Sequence, residues 1–245
     1  MESKEHSDER IFLEGPKTRR KEGLFMLKIV VDFIRGFRKF HFLGPCVTVF
    51  GSARFGAEHT YYKMAEEVGR GLARLGFTVM TGGGPGIMEA ANRGAKEAGG
   101  ISAGCNIQLP KEQAPNSYLD YWVSIKYFFV RKILLTKYSF AFVVMPGGYG
   151  TLDEFFESIT LMQTGKMGRF PVVMVGTEFH KNLYAHLQSL IKQGTIGEKD
   201  IELFLFTDSV EDAIKHISDN TLERFNLHPR VKAKWWLGER KLNSK

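Results

Sequence analysis

One stretch constrains this chain more than any other: Phe140-Ala141-Phe142-Val143-Val144-Met145-Pro146-Gly147-Gly148-Tyr149-Gly150-Thr151-Leu152-Asp153-Glu154, followed by the helical run Phe155 to Met162. An unbroken apolar run entering a glycine-rich turn and then a helix start predicts a buried parallel strand that delivers its loop to the carboxyl edge of a sheet. Anions bind at such edges. Gly147, Gly148 and Gly150 let backbone N–H groups approach a ligand without Cβ interference, and a helix opening at about Thr151 adds unpaired N–H groups and a positive dipole end. The loop reads as a phosphate site.

Glu154 has two readings. Thr151-Leu152-Asp153-Glu154 fits a capping box, in which the threonine hydroxyl bonds the third helical N–H and the glutamate reaches back. The other reading comes from its surroundings. A carboxylate one turn below a phosphate loop sits where a sugar attached to that phosphate would lie, close enough to act as a base at the anomeric centre.

The rest of the chain places this loop in one domain. Cys46–Phe50 predicts a first strand ending in Gly51-Ser52-Ala53-Arg54, with a helix from about His59 to Leu75. Ser52 is a phosphate or ribose contact, or equally a tight turn and cap. A second strand, 77–81, enters Gly82-Gly83-Gly84-Pro85-Gly86-Ile87-Met88-Glu89, and a helix follows to about Ala98. This is another loop-to-helix anion site, or a place where backbones pack closely. It is not the dinucleotide fingerprint, because the third glycine position falls on Ile87, and it lacks the lysine of a P-loop.

A third strand is expected at 101–107, an irregular stretch at 108–117 and a short strand at 122–125. A helix is expected at 127–137, carrying Arg131-Lys132 among Phe128, Phe129, Val130, Ile133, Leu134 and Leu135. Arg131 either points into the carboxyl-edge crevice toward Glu154 or belongs to a surface pair. Beyond the central loop come a strand at 171–175, a helix at 180–193, a short strand at 204–207 and a final helix to about Thr221. With 43% apolar residues in 245, the chain can bury one sizeable core.

Much of the net charge of +7 sits at the end, where Arg230, Lys232, Lys234, Arg240, Lys241 and Lys245 are opposed only by Glu239. That is a local basic tail, and its Trp235-Trp236 pair lacks the interleaved aromatics of single-strand binders. Cys46 and Cys105 fall in strand-like segments and read as buried free thiols of a reducing compartment. The first 22 residues show no secretory signal, so a cytoplasmic protein is expected. Residues 24–42 form a helix in which Phe25, Ile29, Phe33 and Phe37 recur at helical spacing. Lys28, Asp32 and Arg35 make it no membrane span; a basic amphipathic helix can lie on an anionic membrane, but its apolar face is expected to pack onto the domain or a partner subunit.

Taken in order, the Gly82–Glu89 loop, Arg131-Lys132 and the Pro146–Glu154 loop resemble the LOG (Lonely Guy) family, once catalogued as possible lysine decarboxylases. The resemblance spans about 45–193. It implies a Rossmann-like fold, a homodimer or a multiple of dimers, and hydrolysis of the N-glycosidic bond of nucleoside 5'-monophosphates, AMP-like or cytokinin ribosides, to base and ribose 5-phosphate. It also implies that Gly147, Gly148, Gly150 and Thr151 hold the phosphate and that Arg131 and Glu154 form the catalytic pair. The wider substrate-binding set is Ser52, Gly83, Gly84, Lys132, Tyr149 and Asp153. Plant-type members carry a histidine where this chain has Phe128 and a glycine where it has Glu89.

The expected architecture is α/β, a Rossmann-like doubly wound parallel sheet in a single domain with an extra N-terminal helix. Residues 1–22 are expected to be flexible, 23–225 to form the hydrolase domain and 226–245 a basic tail. No metal, cofactor, membrane or nucleic acid is called for. A decarboxylase would need a Schiff-base lysine and an acidic partner for pyridoxal phosphate, and no constellation supplies them. A non-catalytic nucleotide or cofactor carrier using the same crevice is the alternative.

Overall fold

The computed structural model describes residues 8–108 and 114–225. Along the chain run α1 (Asp8–Leu13), α2 (Arg19–Phe40), β1 (Cys46–Phe50), α3 (Thr60–Arg74), β2 (Thr78–Thr81), α4 (Ile87–Glu97), β3 (Ser102–Ile107) and β4 (Tyr121–Ile125). They are followed by α5 (Phe128–Tyr138), β5 (Ser139–Val144), α6 (Tyr149–Gln163), β6 (Val172–Val175), α7 (Thr177–Lys192), β7 (Leu205–Thr207) and α8 (Val210–Phe225), with a 3-10 helix at Glu198–Leu203.

The seven strands form a single parallel sheet in the order β4-β3-β2-β1-β5-β6-β7. Strand order reverses at β1, which pairs with β2 on one edge and β5 on the other. In an open α/β sheet the crevice beyond the carboxyl ends of two such strands is where ligands bind. The loops after β1 and β5 therefore meet at the one position the topology reserves for a ligand.

Strand alternation sorts the core into two layers. Cys46 and Phe50 of β1, with Phe142 and Val144 of β5, pack with Phe40 of α2, Leu134 of α5, Phe155 of α6 and Leu187 of α7. Val47, Val49, Ala141 and Val143 face the other way, onto Leu72 of α3, Ala91 of α4 and Ala213 of α8. Both cysteines are free and buried, and burial alone raises the Cys46 thiol to about 12.

The amino-terminal region differs from its expected form. Within it α1 occupies Asp8–Leu13, and α2 begins at Arg19, five positions before Leu24. The reason is burial and a local cap. The Phe12 ring meets Phe25 at 5.7 Å and Tyr127 at 6.2 Å, edge to face, and the Glu22 carboxylate accepts the Lys17 N–H at 2.6 Å. Residues 1–7 and the basic tail at 226–245, with Trp235 and Trp236, lie outside the described residues. Among the described residues no helix is long and apolar enough to cross a membrane.

Three of the four residues of the expected packing stripe of α2 face the core, Phe25 buried and Ile29 and Phe33 partly so, whereas Phe37 is exposed. A second apolar stripe stays exposed: Leu24 59%, Leu27 63%, Val31 52% and Ile34 50%.

Candidate active site

After β5 the chain turns through Met145–Gly148 into α6. Gly148, extended at φ −97° and ψ −154°, is the N-cap, and no side chain caps the helix. The Thr151 and Leu152 N–H groups already donate to the Gly148 carbonyl, at 3.0 and 3.1 Å. The helix thus opens at Tyr149, two residues earlier than Thr151, because the glycine supplies the extended cap. Thr151 lies inside the first turn, and the Thr151–Glu154 capping box is not formed. The first-turn N–H groups of Tyr149 and Gly150 precede the helical ladder, as the helix start requires. Cβ atoms built on Gly148 or Gly150 would meet nothing within 4 Å.

This helix start borders a crevice of about 680 Å³ at the switch point. Its walls are the β1 loop (Gly51 to Phe55), Met88 of α4, Arg131 of α5, the Gly147–Leu152 turn and Phe179 of α7. Arg54 and Arg131 are the charged residues lining it, and no carboxylate is among the described lining residues. A pocket with two guanidinium groups and a helix N-terminus is suited to a phosphate dianion joined to an apolar body, for which Phe50, Met88, Phe55 and Phe179 give apolar wall.

Arg131 is held in place rather than solvated. Its Nε donates to the Cys105 carbonyl of β3 at 3.0 Å, and its Nη2 lies over Gly82, where a Cβ would come within 2.5 Å. Glu154 sits one turn below Thr151 on the same face of α6 and is 4% exposed. Burial pushes its carboxyl up to about 7; the Arg131 and Lys132 charges oppose the rise, and Glu157 and Asp153 add to it. No hydrogen bond or ion pair reaches this carboxylate among the described residues. Glu154 is not among the described residues that line the crevice, but a nearly buried carboxyl poised near neutrality, under the charge of the Arg131 that does line it, has the proton affinity of a general base.

The second glycine loop is engaged in packing contacts. Gly86 (φ 70°) caps α4, and the Ile87 N–H donates to the Ser52 carbonyl at 2.9 Å, so the β1 loop occupies that helix start. Gly83 and Gly84 are not among the described residues that line the crevice. Their carbonyls accept from the Asn116 backbone N–H (2.9 Å) and side-chain amide (3.1 Å). Buried Asn92 joins the same network, its Oδ1 accepting from Thr81 Oγ1 at 2.6 Å and from Asn116 Nδ2 at 3.0 Å. An amide in the middle of a short alanine-rich helix was the signal for this role.

Of the other expected contacts, Ser52, Gly147, Gly148, Tyr149, Gly150 and Thr151 line the crevice. The Ser52 hydroxyl also closes its own turn, accepting the Arg54 N–H at 3.1 Å. Lys132 and Asp153 do not line it: they pair with each other at 3.0 Å, and Lys132 also reaches Glu157 at 3.0 Å. Burial pulls the Lys132 ammonium down, but these carboxylates outweigh it and leave its pKa above the ordinary lysine value. Arg54, Phe55, Met88 and Phe179 are lining residues that sequence reasoning did not single out. Glu89, at one of the departures from plant-type members, accepts a hydrogen bond from buried Tyr62 at 3.2 Å.

Fold and crevice together define a doubly wound α/β protein with an arginine-lined crevice at its topological switch point. The family described as possible lysine decarboxylase matches residues 88–217. A Mycobacterium tuberculosis protein named cytokinin riboside 5'-monophosphate phosphoribohydrolase is 32% identical over 159 residues, covering 62% of this chain and 83% of its own. A protein of the same name from Rhodococcoides fascians is 28% identical, over 70% of this chain and 88% of its own. The solved structure of the Moco carrier protein from Chlamydomonas reinhardtii superposes with a TM-score of 0.53 at 26% identity, over 74% of this chain and 99% of that one. The chain belongs to the LOG family, whose earlier description is possible lysine decarboxylase.

Proposed function

We propose that this protein hydrolyses the N-glycosidic bond of a nucleoside 5'-monophosphate, AMP-like or a cytokinin riboside, releasing the free base and ribose 5-phosphate. The observation that carries the reading is Glu154: nearly buried, poised near pH 7 and beside Arg131, one turn below a glycine-built helix N-terminus. The names of the relatives from Mycobacterium tuberculosis and Rhodococcoides fascians support the same chemistry.

In this mechanism the phosphate rests on the N–H groups of the α6 start, contacted by Gly147, Gly148, Gly150 and Thr151. The ribose extends toward Arg131. As the glycosidic bond lengthens, positive charge develops on the sugar, and the Glu154 carboxylate stabilises it and takes a proton from the attacking water. Arg131 positions phosphoribose and carboxylate. Binding energy from the phosphate, remote from the breaking bond, fixes the sugar for attack, so free nucleosides react much more slowly.

A carrier without turnover is the second reading, favoured by the likeness to the Moco carrier structure. Incubation with a panel of nucleoside 5'-monophosphates separates the two. Free base with equimolar ribose 5-phosphate supports hydrolysis, whereas release from no member, with a ligand retained through purification, supports the carrier.

The assembly proposed is a homodimer or a multiple of dimers, with α2 covering its counterpart in a second copy. Leu24, Leu27, Val31 and Ile34 are spaced as the a and d positions of a helix pair. An antiparallel two-fold arrangement would bring Glu22 in the first turn near Arg38 and Lys39 in the last.

A further inference from the structure

The helix that carries Arg131 does not cap itself. Tyr127, its N-cap, makes no side-chain cap hydrogen bond. Instead, two carboxylates from the amino-terminal helices reach the backbone on either side of Tyr127. Asp32 of α2 accepts the Lys126 N–H at 2.7 Å, and Glu9 of α1 accepts the Phe128 N–H at 2.8 Å. Asp32 is 1% exposed, and its other oxygen accepts from Arg35 Nη1 at 3.0 Å. The same Arg35 nitrogen lies 3.5 Å from the Ser124 carbonyl of β4. Phe12 of α1 packs on Tyr127 and on Phe129, with the latter ring at 6.1 Å.

We propose that Glu9 and Asp32 form a tertiary cap whose role in the reaction is to position Arg131. The inference rests on the hydrolytic reading of the crevice. The Arg131 N–H makes its helical bond to the Tyr127 carbonyl, at 3.1 Å, so the backbone clamped by the two carboxylates is also the backbone from which Arg131 projects. From there its guanidinium must satisfy two narrow conditions, the Cys105 carbonyl and the space over Gly82. Two negative side chains at the start of α5 also suit its positive dipole end. Both lie before residue 88, where the family match begins, so the cap is supplied from outside the matched segment.

The role is that of positioning residues, and the test separates it from plain stabilisation. Asp32→Asn should lower kcat at least tenfold while KM for a monophosphate changes less than about threefold, because the phosphate is held by α6. Asp32→Glu should restore part of the loss. In an Arg131→Ala background, Asp32→Asn should add nothing further; a loss that multiplies with that of Arg131→Ala would overturn the proposal. Glu9→Ala, at a partly exposed position, should repeat the pattern more weakly and serves where the Asp32 variant does not fold. Amide exchange read on the same variants is independent of turnover. The 126–134 peptide must exchange faster while α6 is unchanged, and equal acceleration in both, or in neither, rejects the clamp. A wild-type protein that releases no base refutes the hydrolytic reading, and an unmoved 126–134 peptide refutes the cap, so the two failures are distinct.

Discussion

The Arg131 guanidinium lies over Gly82, with room at that position for hydrogen and not for carbon: a Cβ would stand 2.5 Å from Nη2 and 2.7 Å from Met88 Sδ. Gly82→Ala is therefore expected to push Arg131 off the crevice wall. Turnover should fall by roughly 10²-fold, the order of loss that small misplacements of a reacting group produce, with thermal stability changed much less. Steady-state kinetics and a melting curve on the purified variant check it. An unchanged kcat would remove Arg131 from the mechanism.

Glu154→Gln keeps the shape and removes the base. Turnover should drop by about 10²- to 10⁴-fold while monophosphate binding persists, measured by calorimetry and product release. Stability should move the opposite way. The folded-state value of about 7 lies above the ordinary 4.5, so the folded protein holds this proton more tightly than the unfolded chain. The group's ionisation therefore costs stability as pH rises from 4.5 through 7, on the order of 3 to 3.5 kcal/mol in full. Glutamine avoids that cost. Tm should rise by several degrees at about pH 8 and be unchanged at about pH 4, whereas a lost helix cap would lower it at both.

The pH profile follows from the same carboxyl. Because the base must be ionised, kcat/KM should climb with pH, reach half its limit near 7 and level off above it. A phosphate monoester titrates near pH 6 on its own account. The Glu154→Gln variant should keep only that lower limb in its residual rate. A wild-type profile flat between pH 5 and 8 would mean that Glu154 does not act as the base.

The phosphate assignment rests on the α6 start, where Gly148 opens toward free space and Thr151 lines the crevice. Gly148→Val or Thr151→Val should weaken nucleoside 5'-monophosphates far more than free nucleosides, read as dissociation constants for the two ligands. Equal losses for both would place the phosphate elsewhere.

The dimer is tested on α2. Leu27 and Val31 are 63% and 52% exposed, so charges placed there should leave the fold of one copy intact. The unaltered protein should sediment at micromolar concentration as a dimer or larger even assembly, and Leu27→Glu with Val31→Glu as a monomer. A variant that stays dimeric assigns the interface to another face.

Strand and helix positions were legible because they depend on local periodicity. β1 occupies Cys46–Phe50 as its apolar run predicts, and the other strands and the helices α3 to α8 fall within a few residues of their expected places. The central glycine loop was legible for the same reason: an apolar run, glycines and a helix start are neighbours along the chain. So was the carboxyl-edge crevice, since alternating strands and helices imply a parallel sheet with a switch point.

What pattern could not resolve is which of two partners a residue takes. Thr151-x-x-Glu154 has the spacing of a capping box, but Gly148 starts the helix earlier and leaves Glu154 buried, under the charges of Arg131 and Lys132 of α5. Gly82 to Gly86 have the composition of an anion loop, yet the β1 loop and Asn116 occupy their backbone groups, and Gly82 makes room for Arg131. Asp32 reads as a charge interrupting an apolar helix until the fold brings it to the Lys126 N–H, 94 residues away. Spacing along the chain determines local conformation and the face on which a side chain emerges. Burial, and with it the proton affinity of Glu154 and the position of Arg131, is set by contacts between distant segments, which exist only once the sheet has assembled.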